Sequence, residues 1–216
     1  MTVGLLPAIV RISHMLTAIN GKAAAVPRNV HSLWDILQLS ILVHANYEAK
    51  RSLFTSLPSD RLTIVTPSKW LAELVASSFL SKYPIEVAHN TIDLDIFRPR
   101  SNGEVSSVKE KYGLDSRNII LGVASPWSKR KGLSDFYTLA DRLDRSKYSI
   151  VLVGLSAKQM RALPPEIVGI PRTDSQIELA SLYSSASVLF NPTYEDNYPT
   201  VNLEAEACGL PVVCYD

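Results

Sequence analysis

The chain has 216 residues, 46% of them apolar and 20% charged, with a formal net charge of +1 at neutral pH. That length accommodates one domain, or one domain and part of another, with a sizeable buried core. The near-balanced charge excludes the basic signature of a nucleic-acid partner, and two cysteines close to the C-terminus, Cys208 and Cys214, make no disulfide framework. They read as reduced, buried thiols, which suits a cytoplasmic protein.

Residues 1–19 form an apolar run that Arg11 and His14 interrupt, too short and too polar to span a bilayer. No basic segment of the kind that opens a secretory signal precedes it. The run reads as an amphipathic helix, packed into a core or lying as a peripheral contact on a membrane. Leu62–Thr66 is a β-branched strand. Pro67 and Ser68 then offer a cap for a helix whose Trp70, Leu71, Leu74, Val75 and Phe79 recur at helical spacing. Ile85–Ala88 is a second short strand. The polar, Ser-rich stretch that follows Pro99 reads as a linker over residues 101–109, dividing an N-terminal domain (1–100) from a C-terminal one (110–216).

Beyond the linker, Ile119–Ala124 is a buried-type strand, and a basic loop leads from Pro126 to Gly132. Leu133, Phe136, Tyr137, Ala140 and Leu143 line one face of the next helix. Tyr148–Val153 and Ile167–Ile170 are strands. Ser175 and Glu178 are spaced as a capping box for a helix carrying Ile177, Leu179, Leu182 and Tyr183. Val188–Asn191 is a strand, Thr200–Cys208 a helix that Gly209 is placed to end, and Pro211–Tyr215 a last strand. Strands alternating with helices predict an α/β fold with a parallel sheet covered on both faces. Ligands of such sheets bind outside the carboxyl ends of the strands, which singles out three loops: Ser125–Gly132, Gly154–Ala157 and Pro192–Pro199. No G-x-G-x-x-G follows a strand and no P-loop is present, so a dehydrogenase and a P-loop nucleotidase are disfavoured.

The strongest constellation runs from Asn191 to Pro211, where a strand enters an acid-rich loop and a helix begins directly after it. A helix start offers backbone N–H groups and a positive dipole end to a phosphate. Carboxylates beside it can accept hydrogen bonds from sugar hydroxyls, and a sugar diphosphate needs both. The alternative is that Glu195 and Asp196 only favour the helix dipole from a solvated loop. The residues Glu195-Asp196-Asn197-Tyr198-Pro199, followed by Glu204-Ala-Glu-Ala-Cys-Gly209-Leu-Pro211, resemble the donor-site signature of GT-B glycosyltransferases of family 4 (glycosyl transferases group 1). That signature has two acids separated by seven residues. Here the second is Glu204 and the matching first position is Asp196, with Glu195 one residue early.

The resemblance extends over roughly residues 44–216. Gly122-Val-Ala-Ser-Pro-Trp-Ser-Lys-Arg-Lys131-Gly132 is similar to the family's strand–loop segment ending in Lys-Gly, whose lysine binds the donor diphosphate. Ser125 stands where many members carry Arg, and Lys129 or Arg130 can compensate. Asn90-Thr91-Ile92-Asp93 with Phe97-Arg98-Pro99 resembles the family's domain-junction element, with Thr91 in place of the usual Gly, and reads as architectural. The histidines His14, His31 and His44 match no family position.

The resemblance implies a Rossmann-like donor domain of GT-B type preceded by a partial acceptor-side domain. It implies transfer of a sugar from a nucleoside diphosphate sugar to a saccharide or lipid-linked acceptor, with retained anomeric configuration and no bound metal or other cofactor. Asp196 and Lys131 would act at the reacting centre, Asp196 on the hexose and Lys131 on the diphosphate. Glu204 would bind the ribose, and Glu195, Arg130, Gly154, Asn197, Pro199 and Thr200 would complete the donor-binding set. No protein nucleophile is required, so the carboxylates are read as hydroxyl binders and not as a hydrolase acid/base pair. Such a protein is expected in the cytoplasm, at the inner face of the membrane when its acceptor is lipid-linked. Because both domains read as shorter than a whole member's, two expectations stand: a glycosyltransferase completed by residues or a partner absent here, or a non-catalytic truncated fragment that at most binds a nucleotide sugar.

Overall fold

Short β-branched and aliphatic runs form the strands, and all the strand pairs among the described residues are parallel. The structure, a computed structural model, describes residues 8–11 and 33–215. It divides the chain into two units between Asn90 and Thr91.

In the first unit, β1 (Ala8–Arg11) pairs with β2 (Leu62–Thr66), which pairs with β3 (Ile85–Val87). The helices are α1 (Leu33–Phe54) and α2 (Lys69–Ala76). Within the run expected to be an amphipathic helix, residues 8–11 are therefore a strand, drawn into register with β2; the rest of 1–19, and with it His14 and His31, lie outside the described residues. His44 is exposed on α1. Ser68 caps α2 as expected, accepting the Leu71 N–H at 3.2 Å. Leu71 and Val75 are buried but Trp70 is 44% exposed, one position off the inward stripe. Leu62, Ile64, Val75, Leu80 and Tyr83 form the core. The Tyr83 hydroxyl donates to the carbonyls of Phe54 (2.9 Å) and Leu57 (3.0 Å), holding the end of α1.

The second unit is a five-stranded parallel sheet of order β6-β5-β4-β7-β8. Its strands are β4 (Asn118–Val123), β5 (Tyr148–Val153), β6 (Ile167–Ile170), β7 (Val188–Asn191) and β8 (Val212–Cys214). The helices are α3 (Asn102–Lys111), α4 (Leu133–Ala140), α5 (Ala157–Arg161), α6 (Gln176–Ser185) and α7 (Thr200–Ala207). Because successive side chains of a strand point to opposite faces, β4 sends Ile119 and Leu121 into a core with residues of α3, α6 and α7. It sends Ile120 to the other face, with Phe136 and Ala140 of α4. β5 divides likewise: Val151 and Val153 on the first face, Ile150 and Leu152 on the second. Near-continuous apolar runs, not alternating ones, are what a sheet covered on both faces requires.

Three expectations are corrected. The stretch 101–109 is not a linker: Ser101 and Glu104 form a complete capping box that starts α3, and Val108 packs into the core. The Ser175–Glu178 box is half made. Ser175 accepts the Glu178 N–H at 3.2 Å, but the Glu178 carboxylate turns to the Asp174 N–H (2.6 Å), Lys111 and the Tyr112 hydroxyl (3.0 Å). Cys208 is buried, but Cys214 is exposed, because β8 lies at the edge of the described sheet; both thiols are free.

Candidate functional site

β4 lies inside the sheet with β5 on one side and β7 on the other, so the order of strands reverses between β4 and β7. At such a switch point the loops leaving the two carboxyl ends part to opposite faces and open a crevice. The two loops that flank it are the basic one after β4 and the acidic one after β7.

The basic loop is anchored from below. Trp127, 5% exposed, donates its indole N–H to the Val153 carbonyl at 2.8 Å and packs edge-on to Phe136 with ring centroids 5.5 Å apart. Gln159 of α5 donates to the Trp127 carbonyl at 3.1 Å. A short 3₁₀ turn, Lys129–Lys131, then presents three cations. Gly132 follows at φ 70°, and a Cβ there would lie 2.3 Å from the Pro192 carbonyl oxygen, so the two loops meet at a distance only glycine permits. Gly154, at φ +93°, is tighter still: a Cβ would lie 1.8 Å from the Ala124 oxygen. Its N–H donates to the Ile170 carbonyl at 2.8 Å. Its place at the end of β5 thus has a packing reason of its own.

The acidic loop is sewn to the basic one. Tyr194 donates its N–H to the Arg130 carbonyl at 3.0 Å, and the Arg130 guanidinium returns a bond to the Glu195 carbonyl. Lys131 Nζ meets Asp196 Oδ2 at 2.5 Å, both side chains being about a quarter exposed, while Asp196 Oδ1 accepts the Asn197 N–H at 2.8 Å. The structure therefore brings Lys131, Arg130, Asp196 and Glu195 together, with Glu195 contributing its backbone and its side chain left at the surface.

α7 leaves this loop directly. Its N-cap is Pro199, which makes no side-chain capping bond. Asn191, buried at the end of β7, donates to Asn202 Oδ1 at 2.9 Å and accepts from the Thr193 hydroxyl at 2.7 Å, so the helix start and the loop are held to the strand. Glu204 has a different partner from the Lys131–Asp196 pair. Its Oε2 accepts from the Tyr183 hydroxyl at 2.9 Å, and the Thr200 hydroxyl stands one turn earlier on α7. Burial pushes the Glu204 carboxyl above its ordinary value, with the two hydroxyls pulling against it. Burial, then the neighbouring Glu204 charge, push the Tyr183 phenol well up, and burial raises the Cys208 thiol to about 11.

Tyr183, Trp127 and the Asn191–Asn202 pair were not legible as site residues. Tyr183 reads only as an inward helix position, and the partners of each lie on other elements. Among the described residues, no three His, Cys, Asp or Glu side chains converge to hold a metal ion, and no helix is long and apolar enough to cross a membrane. A cavity of about 300 Å³ lined by Arg117, Leu143, Arg145, Tyr148, Glu166 and Val168 lies at the amino ends of the strands, opposite the loops. Its arginines are engaged by Asp115 and Glu166.

Residues 105–216 match the family described as glycosyl transferases group 1. An alpha-galactosylglucosyldiacylglycerol synthase from Streptococcus pneumoniae is 26% identical over 167 residues, covering 73% of this chain and 44% of its own length. Among solved structures, HepE from Anabaena in complex with UDP-glucose aligns with a TM-score of 0.60 at 15% identity, over 96% of this chain and 53% of its own. A sucrose-phosphate synthase from Thermosynechococcus elongatus aligns with a TM-score of 0.62 at 17% identity, over 77% of this chain and 44% of its own. At such identities the likeness to the two structures is one of fold, the α/β architecture of GT-B glycosyltransferases. The chain spans less than half the length of these curated relatives, from 36% to 48%.

Proposed function

The chain belongs to the glycosyl transferases group 1 family, and we propose that it carries the donor side of a retaining, family 4 glycosyltransferase. In this reading a hexose passes from a nucleoside diphosphate sugar to a saccharide or glycolipid acceptor, in envelope or exopolysaccharide synthesis at the cytoplasmic face of a membrane. The observation that carries it is the convergence of Lys131 and Asp196 at the switch point, 2.5 Å apart, on the loop that runs into α7 and Glu204. A cation, two carboxylates and a helix start without a side-chain cap are the groups that a sugar diphosphate calls for together.

Each residue has a role in this proposal. Lys131 neutralises the diphosphate as charge develops on it during departure, with Arg130 beside it. The first turn of α7, entered through Pro199 and Thr200, offers its N–H groups to the same phosphates. Asp196, steadied by the Asn197 N–H, accepts hydrogen bonds from the hexose hydroxyls, and Glu204 accepts them from the ribose. Gly154 lets the loop after β5 close against β4, and Glu195 fixes the acidic loop through its carbonyl. The acceptor attacks on the face the diphosphate leaves, and the departing phosphate takes its proton. No metal ion enters this scheme. Support for the donor and acceptor classes comes from the Anabaena protein, solved with UDP-glucose, and from the streptococcal relative, named for a galactosylglucosyldiacylglycerol.

Calorimetric titration of the chain with UDP, GDP and ADP tests the reading. Binding of one of them, lost in Glu204→Ala, supports it. No binding to any of the three overturns it, and an unchanged affinity in Glu204→Ala overturns the ribose assignment.

A further inference from the structure

Glu204 is held by a residue outside the acidic loop and its helix. Tyr183 sits on α6, 21 positions earlier in the chain, and donates its hydroxyl to Glu204 Oε2 at 2.9 Å. Its side chain is 0% exposed. The ring lies edge-on to Phe97 with centroids 6.3 Å apart, in the same core as Leu182, Ala205 and Cys208. A phenol enclosed in this way cannot exchange its partner for water, so the bond to Glu204 is the one that satisfies it. A hydroxyl donating to a carboxylate also makes a stronger and shorter bond than one donating to a neutral oxygen. The side chain at the far end of that bond is thus referred to a rigid core and not to a mobile loop.

We infer that Tyr183 is a positioning residue for donor binding: from beneath α7 its hydroxyl fixes the Glu204 carboxylate in one orientation for the hydroxyls of a nucleotide's ribose. The inference rests on the donor-site reading of Glu204. A carboxylate offers about four lone-pair positions. Tyr183 takes one of them, which sets where the others stand, and the Thr200 hydroxyl acts from one turn earlier on α7. The bond also bears on charge. Burial favours the protonated carboxyl, and the Tyr183 and Thr200 hydroxyls oppose it. A protonated Glu204 would lose acceptor positions that the ribose requires. The other titratable groups around it are the Tyr183 phenol itself and Cys208 on the following turn, with the Arg100 guanidinium acting on Cys208. The phenol is held well above its ordinary value and the thiol at about 11, so on the acid side Glu204 is the group of this cluster that changes charge.

The test is calorimetric titration of the full chain with UDP, GDP and ADP between pH 5 and 8. It compares wild type, Tyr183→Phe, Glu204→Gln and the double variant, with circular dichroism to verify folding. The expected result is affinity about tenfold weaker in Tyr183→Phe, as for loss of one hydrogen bond to a charged group. The acid loss of affinity should move to higher pH in that variant, and the substitution should have no further effect in the Glu204→Gln background. A purely structural role would not move the pH midpoint. Unchanged affinity and midpoint in Tyr183→Phe, with binding lost in Glu204→Gln, overturns the inference and leaves the donor site standing. Wild-type affinity in Glu204→Gln, or no nucleotide bound by wild type, overturns both. If Tyr183→Phe does not fold, the Cζ carbon resonance of Tyr183 in wild type decides. It should titrate with the same midpoint as nucleotide affinity, and a resonance that does not move over that range overturns the inference.

Discussion

Lys131 and Asp196, 65 positions apart in the chain, meet at 2.5 Å across the crevice between β4 and β7. A lysine committed to a carboxylate is not fully available to a diphosphate, so ligand and Asp196 should compete for it. Asp196→Asn is therefore expected to bind UDP at least as tightly as wild type, by a factor of about two to five, the worth of a partly exposed pair. Lys131→Met should weaken UDP about tenfold or more through loss of a charge-assisted contact. Equal weakening by both substitutions, measured by calorimetry, would remove the competition from the scheme.

Glu204 and Tyr183 should also show in stability. Glu204→Ala leaves a buried phenol without its acceptor and is expected to cost about 1–3 kcal/mol. Adding Tyr183→Phe removes the orphaned hydroxyl and should return part of that loss. Urea denaturation of the two single variants and the double one checks the sign, since simple additivity would mean that the bond contributes nothing.

Gly154 has no room for a side chain. Its φ is +93°, and a Cβ would lie 1.8 Å from the backbone oxygen of Ala124, an atom that cannot swing away. Gly154→Ala is expected to cost about 3 kcal/mol or more, or to prevent folding. A thermal melt within a few degrees of wild type would contradict the close approach of β4 and β5 at this point.

Trp127 holds the basic loop over β5 through its indole bond to the Val153 carbonyl. In Trp127→Phe the Val153 carbonyl keeps the Ala124 N–H at 3.2 Å and loses the indole bond, for an expected loss of about 0.5–1.5 kcal/mol. The backbone amides of residues 128–132 should exchange with deuterium faster than in wild type, while those of α6 should not.

Lys111 joins α3 to α6 by meeting Asp174 at 2.6 Å and also Glu178. The Lys111 contact holds the Asp174 carboxyl below its ordinary 3.8. Burial acts to raise Glu178, but its bonds to Lys111, the Asp174 N–H and Tyr112 outweigh that and leave it below its ordinary 4.5. Depressed carboxyls stabilise the fold above their unfolded values, and that stability is lost as pH falls through the folded ones. Lys111→Met should therefore melt lower than wild type at neutral pH. The two melting curves should converge on acidification below the ordinary carboxylate range, and a difference that persists there would assign the effect to packing.

Several elements were readable because their signals are local. Tyr148–Val153, Ile167–Ile170 and Val188–Asn191 are strands with the expected ends, each an apolar run bounded by turn residues or a change of polarity. Ser68 was readable as a cap for the same reason. The segment at 101–109 carries two conflicting signals, and the Ser101–Glu104 capping spacing decides it as a helix start over a Ser- and Gly-rich composition. The exposure of Cys214 and the strand at Ala8–Arg11 depended on which neighbour each strand acquires in the sheet, and a strand does not carry that information in its own residues.

By itself, the sequence determined the parallel α/β class, the three loops at the carboxyl ends of the strands, and the residue types from Lys131 to Glu204 that mark the family. Only the tertiary structure decided how those residues divide. Lys131 closes on Asp196, Arg130 binds the carbonyl of Glu195 and not its carboxylate, and Glu204 is held from the core by Tyr183. The physical reason is range. Periodicity and capping act over a few residues, whereas these contacts form between loops and helices that only the strand order brings within hydrogen-bond distance.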